Sequence, residues 1–167
     1  ASITMNRVFR RAITTTTRVL AEAEAASTEA TELRLNLAVP ARALLDGVDV
    51  ERVTLPGRAG RFGIEKSSPS MLAELRPGVV NVVHLDGRSE DFFVPGGYAF
   101  VHGDNRIDVS TPEGVRLEDI DGDRIREMNA LAAAKRDASQ AGSKEHASAL
   151  VEMEVYKEMS RAVGSSL

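Results

Sequence analysis

The sequence predicts an α+β chain that is mainly β: an N-terminal antiparallel β-sandwich of about eight to ten short strands, followed by a C-terminal antiparallel two-helix hairpin. Three observations predict it. From Leu33 onward, short runs alternate apolar and polar residues at a period of two. Glycine and proline punctuate those runs, at Gly47, Pro56-Gly57, Gly60, Gly63, Pro77-Gly78, Asp86-Gly87, Pro95-Gly96-Gly97, Gly103 and Pro112. After Pro112 the apolar spacing lengthens to that of a helix. The chain divides accordingly into an N-terminal extension over residues 1–32, a sandwich over 33–117 and a helical hairpin over 118–167.

The extension is basic first and Ala/Glu-rich afterwards, with almost no large apolar groups between Ala21 and Glu32, so it reads as linker or solvated helix. Leu33, Leu35, Leu37 and Val39 alternate with Arg34, Asn36 and Ala38 and make the first half-buried strand. Further strands are expected from Val48 to Leu55, Gly78 to Leu85, Glu90 to Val94, Tyr98 to His102 and Ile107 to Ser110. Gly57, Gly60 and Gly63 read as three turns at one end of the sandwich, and Gly96-Gly97 as a turn or bulge entering the next strand. Glu118, Asp119, Asp121 and Asp123 then open a helix, where carboxylates complement the positive end of the dipole and one aspartate caps free amides. Ile125, Met128 and Ala132 carry its apolar face as far as about Gln140. Ala141-Gly142-Ser143 is a stop followed by a new cap, and Val151, Val155 and Met159 carry the face of the second helix. These six residues are the expected packing of the hairpin, with Ala132, Ala133, Ala134 and Ala138 small enough for close approach.

Composition removes whole classes of function. In 167 residues, 43% hydrophobic and 28% charged, there is enough for a real core, built from aliphatics because aromatics supply only 4%. Stacking platforms for bases or sugars are not expected, and no segment has the basic footprint of a nucleic-acid binder at a net charge of -4. The absence of cysteine excludes disulfides, thiolate metal sites and a thiol nucleophile. No metal is expected with only His84, His102 and His146 available, and no apolar run reaches the ~18 residues of a membrane span. The first 20 residues hold Arg7, Arg10, Arg11 and Arg18, no acid and the run Thr14 to Thr17. Two readings of them stand side by side, a mitochondrial targeting segment and a basic arm. With Ala1 rather than Met at its head, the chain reads as already processed.

Candidate chemistry fails on context. The Gly57 to Gly63 stretch does not open a helix, so it is no phosphate cradle. Asp119-Ile120-Asp121-Gly122-Asp123 has its glycine too early for a calcium loop, and Ala130 stands where the twelfth-position Glu belongs. No Gly-x-Ser-x-Gly elbow occurs, and His84 and His102 read as surface or strand-edge side chains. Acid, base and nucleophile cannot be assembled, so an enzyme in its own right is not expected.

Read continuously, Leu33 to Asp121 resembles the small central-stalk subunit of F-type ATP synthases, called delta in mitochondria and epsilon in bacteria and chloroplasts. The resemblance rests on Gly47-Val48, Val53-Thr54-Leu55-Pro56-Gly57, Gly60-Arg61-Phe62-Gly63-Ile64, Leu75-Arg76-Pro77-Gly78-Val79-Val80, Asp86-Gly87 and Phe92-Phe93-Val94-Pro95-Gly96-Gly97-Tyr98. Each motif alone is weak. Their order and spacing, with the hairpin after them, are specific and extend the resemblance over about residues 33 to 163. The Leu-Arg-Pro-Gly form and the Arg/Thr-rich start resemble mitochondrial members more than bacterial ones.

The resemblance implies a noncatalytic rotor subunit without a cofactor, coupling the gamma subunit to the c-ring so that proton flow drives ATP synthesis. It implies a peripheral place on the matrix side of the mitochondrial inner membrane, membrane contact only through the c-ring, and the mitochondrial small epsilon subunit as a further partner. The ring contact is expected at Arg61 and at the turn Lys66, Ser67, Ser68, Pro69 and Ser70. Here the chain departs from its relatives: Ser68 and Ser70 stand at the family's His and Pro positions, and Arg61 where an acidic or polar residue is common. Ile120, Asp121 and Arg124 resemble a remnant of the ATP-binding motif of some bacterial members, with Ile125 replacing its Ala. Asp121 and Arg124 are expected to form a surface pair instead, without nucleotide binding. The alternative from a different class is a free ligand- or peptide-binding β-sandwich with regulatory helices.

Overall fold

The computed structural model describes residues 32–165. The expected extension, apart from Glu32, lies outside the described residues. Nine strands run in order: β1 (Leu33–Val39), β2 (Arg42–Gly57), β3 (Gly60–Glu65), β4 (Met71–Leu75), β5 (Gly78–His84), β6 (Ser89–Val94), β7 (Gly97–Val101), β8 (Arg106–Ser110) and β9 (Val115–Arg116). A 3₁₀ turn at Leu117–Asp119 leads to helices α1 (Gly122–Ala138) and α2 (Lys144–Ser165).

The strand path β1-β8-β7-β4-β2-β5-β6-β9, with β3 on β2 and β1 also on β2, closes into two layers through one long strand. The first half of the 16-residue β2 pairs with β1 from Val39↔Arg42 to Leu33↔Val50. Its second half pairs with β3 (Val53↔Ile64) and β5 (Val53↔Val82), after a register shift between Val50 and Arg52. A shifted register bends a strand and sharpens its twist, which carries β2 from one layer to the other. The expected strand Val48 to Leu55 is therefore only the middle of β2.

One pairing departs from the antiparallel expectation: β1 and β8 run parallel, Leu35 beside Ile107 and Leu37 beside Val109. Strands so far apart in sequence need no hairpin between them, so the return path of the chain sets their direction. Two further corrections concern Gly57 to Leu75. Gly60, at φ +133°, belongs to a tight reversal, but Gly63 has an ordinary φ and sits inside β3, whose Phe62 and Ile64 point inward while Arg61 and Glu65 face solvent. β4 and the two-residue β9 are the other strands that the sequence did not announce.

The sandwich core is aliphatic around one ring. Leu33, Leu35, Leu37, Val50, Val53, Leu55, Val80, Val82, Ile107 and Val109 are buried around Phe92. A second, smaller cluster joins the helices to the sheet: Phe93, Leu117 and Ala162 are buried, with Val79, Ile120, Val155, Met159 and Val163 packed against them. Successive strand residues face opposite sides, so Phe92 enters the sandwich and Phe93 receives the helices.

The hairpin forms where its caps require. Asp121 is the N-cap of α1, its Oδ1 accepting from the amides of Asp123 (2.8 Å) and Arg124 (3.3 Å). Gly142, at φ +85°, reverses the chain, and Ser143 Oγ accepts from the His146 amide at 3.1 Å. Ala132 and Ala149 are buried, as the short side chains of closely packed helices are.

Candidate functional site

Among the described residues no cluster of three or more His, Asp or Glu is arranged to hold a metal. What the sandwich offers is surface. Three surfaces stand out.

The first contains the expected contact residues. β3 is an edge strand paired only with β2, and along its outward side stand Arg61 and Glu65, with the turn Lys66–Ser70 beyond. Arg61 is exposed and without an ion-pair partner among the described residues. It lies at the end of the sandwich where Arg58 Nη1 meets Glu74 Oε2 at 3.1 Å and the Arg76 amide donates to Pro56 O at 2.8 Å. Lys66 lies at the other end of β3, 3.9 Å from Glu32 Oε1. At about 3.3 Å per residue, Arg61 and Lys66 are roughly 17 Å apart. The expected contact is thus a stripe along one edge, not a single spot. Ser67, at φ +65°, and Ser68, whose Oγ accepts from the Glu65 amide at 3.1 Å, shape the turn; Pro69 and Ser70 are exposed.

The second surface was missed in the sequence. On the outward face of β4 and β7, Leu72 lies opposite Phe100, and Tyr98 lies two pairs further along opposite Glu74. Leu72 is 63% exposed and Phe100 42%, an apolar strip on a sheet face that should be polar if it met only water. The signal was present in Tyr98-Ala99-Phe100-Val101, which is apolar on both faces.

The third is a cleft of about 540 Å³ between sheet and hairpin, lined by Phe93, Pro95, Val115, Val151, Val155 and Met159. Of the six expected hairpin residues, Ile125 and Ala132 are buried and Met128 is half-buried. Val155 and Met159 turn to the sheet, and Val151 is 61% exposed beside the cleft rather than sealed between the helices. The sandwich competes with α1 for the apolar face of α2, which periodicity alone does not reveal.

The remnant nucleotide motif is occupied by structural work. Asp121 is spent on the helix cap, Arg124 Nη1 donates to Glu127 Oε2 at 2.6 Å rather than to Asp121, and Ile120 packs with Phe93 and Leu117. The expected Asp121–Arg124 pair is corrected accordingly.

Two histidines in or beside strands lie against carboxylates. His84, expected at the surface, is buried, its Nε2 3.2 Å from Glu90 Oε1; Arg116 Nη1 lies 3.1 Å from Glu90 Oε2 and its guanidinium sits 5.4 Å from the centre of the Phe92 ring. His102 Nε2 lies 2.7 Å from Asp108 Oδ2, and Asn36 Nδ2 donates to Asp108 Oδ1 at 2.6 Å. Burial raises the Asp108 carboxyl, but the Asn36 and His102 hydrogen bonds, with the nearby charges of His102 and Arg106, outweigh it and hold the group below its usual 3.8. A depressed carboxyl contributes stability above its unfolded pKa and loses that contribution as pH falls through the folded value. Asp108→Asn is expected to cost at most about 1 kcal/mol near neutrality, because the pair is partly solvated. The difference from the parent should shrink below about pH 4. Denaturation curves of both proteins across that range check it; a difference that does not change with pH refutes it.

The family described as ATP synthase, Delta/Epsilon chain, beta-sandwich domain matches residues 32–117. The chain is 34% identical over 159 residues to the mitochondrial ATP synthase subunit delta of Saccharomyces cerevisiae, covering 95% of this chain and 91% of that protein. Against the corresponding subunit of Agaricus bisporus it is 37% identical over 132 residues, covering 79% and 80%. Its fold is similar to a chain of the Euglena gracilis mitochondrial ATP synthase assembly of OSCP, F1 and c-ring, with a TM-score of 0.71 at 22% identity, covering 79% and 81%. The nine-strand sandwich, its match from end to end and relatives that extend through the helices together place this chain in the delta/epsilon family of ATP synthase subunits.

Proposed function

We propose that the chain is a noncatalytic rotor subunit of the mitochondrial F-type ATP synthase, a rigid adaptor that fixes the gamma subunit to the c-ring so that proton flow drives ATP synthesis. It works from the matrix side of the inner membrane and meets the membrane only through the ring. The observation that carries this reading is the likeness to mitochondrial delta subunits over sandwich and helices alike. Torque transfer requires a body that does not shear between its two contacts, and a close-packed sandwich whose layers share β2 supplies that stiffness.

The surfaces divide the work. The apolar strip of Leu72, Tyr98 and Phe100 suits a permanent apolar partner, and we assign it to gamma. The β3 edge is polar and ends in two cations, Arg61 and Lys66, which suits the carbonyls and acidic groups of polar ring loops. The cleft beside Val151 and Val155 is assigned to the mitochondrial small epsilon subunit, as a helix-sized apolar slot. In this reading residues 33–117 are the working adaptor and residues 118–167 its brace.

Reconstitution tests the assignment. The full chain should be recovered in stoichiometric amount with gamma and a c-ring, and Leu72→Asp with Phe100→Asp should abolish recovery with gamma. Arg61→Glu and Lys66→Glu should each lower ring-coupled proton pumping several-fold. Because the two sites are well beyond 10 Å apart, their effects should multiply. Unchanged pumping in both variants would sink the ring assignment. A stable monomer that takes a small ligand in the cleft and ignores gamma would favour the free binding module instead.

A further inference from the structure

The β7–β8 turn has no part in the three surfaces described so far, yet two other segments of the chain converge on one of its residues. The Ser67 amide, in the β3–β4 turn, donates to Asn105 Oδ1 at 2.8 Å. The Arg34 amide, at the start of β1, donates to Asn105 O at 2.8 Å. The turn itself is closed by the His102 amide donating to Arg106 O at 2.8 Å. Asn105 and Ser67 are also the two non-glycine residues at positive φ among the described residues, at +61° and +65°.

Elsewhere the β3–β4 turn is held loosely, by the exposed Lys66–Glu32 ion pair at 3.9 Å. Lys66, Ser67, Pro69 and Ser70 are exposed, so no apolar burial fixes their positions. Among the described residues, the Ser68 hydroxyl and amide bond to Glu65, at the root of the same turn. Ser67 carries the cost of a left-handed backbone, which persists only where neighbouring structure over-determines it. The bond to Asn105 is the long-range constraint on that residue. Asparagine suits the place for two reasons at once: it tolerates the left-handed region better than other non-glycine residues, and its side chain supplies the acceptor.

We propose that Asn105 is a positioning residue for the rotor contact. By holding Ser67 it sets Lys66 and Ser68–Ser70 in one pose before the ring loop arrives, so the contact forms without the entropy cost of ordering a free turn. The inference rests on the reading that this turn meets the c-ring.

Two substitutions in the full-length chain separate the roles of Asn105. Asn105→Gly keeps the backbone freedom and removes the acceptor; Asn105→Asp keeps both. The Ser67 amide should exchange with solvent roughly tenfold faster in Asn105→Gly, the effect of losing one hydrogen bond, while melting of the chain barely moves. In the assembled ATP synthase the same variant should lower ring-coupled proton pumping several-fold, and Asn105→Asp should restore both readouts. Unchanged Ser67 exchange overturns the inference. So does faster exchange with intact pumping, if Lys66→Glu still impairs pumping, since the turn would then meet the ring without needing its anchor. If Lys66→Glu also leaves pumping intact, the ring reading itself fails.

Discussion

Replacing Gly97 by alanine is expected to destabilise the protein by about 4 kcal/mol, the sum of a strained backbone and an unavoidable clash. Gly97 opens β7 at φ +141°, a conformation that side chains rarely adopt. A Cβ there would lie 2.2 Å from the Ser110 carbonyl oxygen and 3.0 Å from the Thr111 Cα. Those atoms are backbone and cannot rotate away. To make room, β7 must part from β8, loosening the pairs Tyr98↔Ser110 and Ala99↔Val109. The neighbouring segment cannot drift to relieve it either, because the Thr111 hydroxyl lies 2.8 Å from Gly96 O and its amide donates to Ala38 O. Gly63→Ala is the control: an ordinary φ, and only the flexible Arg52 Cδ within 3.8 Å, so it should stay within about 0.5 kcal/mol of the parent. Chemical denaturation of the full chain reads both. If the two variants differ by less than about 1 kcal/mol, the steric account of Gly97 is wrong.

The second large effect separates two adjacent phenylalanines. Phe92→Ala and Phe93→Ala should each cost about 3–5 kcal/mol, the usual penalty for emptying a buried ring site. They should fail differently, because Phe92 belongs to the sandwich core and Phe93 to the cluster that seats α2 through Leu117 and Ala162. Phe92→Ala lowers one cooperative transition of the whole chain. Phe93→Ala releases the hairpin, so the helical signal is lost in mild denaturant while sandwich amides remain protected. Identical, single-step melting of both variants would contradict the division into two clusters.

Much of this fold could be read directly. β1 is visible because Leu33, Leu35 and Leu37 alternate with polar neighbours, and β1 is buried on one side only. The hairpin is visible because Asp121, Gly142 and Ser143 mark its ends locally. β3 and β4 were not, because two glycines interrupt the first and the second exposes Met71 and Leu72, so neither alternates cleanly. The burial of His84 depends on β6 bringing Glu90 alongside β5, and nothing near residue 84 announces it.

The candidate site divides along the same line. Its residue identities stand in the sequence, as did the family they resemble, since turn glycines and alternating strands act over a few residues. The apolar strip across β4 and β7, the sharing of α2 between hairpin and sheet, and the hold of Asn105 on Ser67 were decided only by tertiary structure. Each joins residues far apart along the chain, and which segments meet is chosen by the whole core rather than by any local pattern.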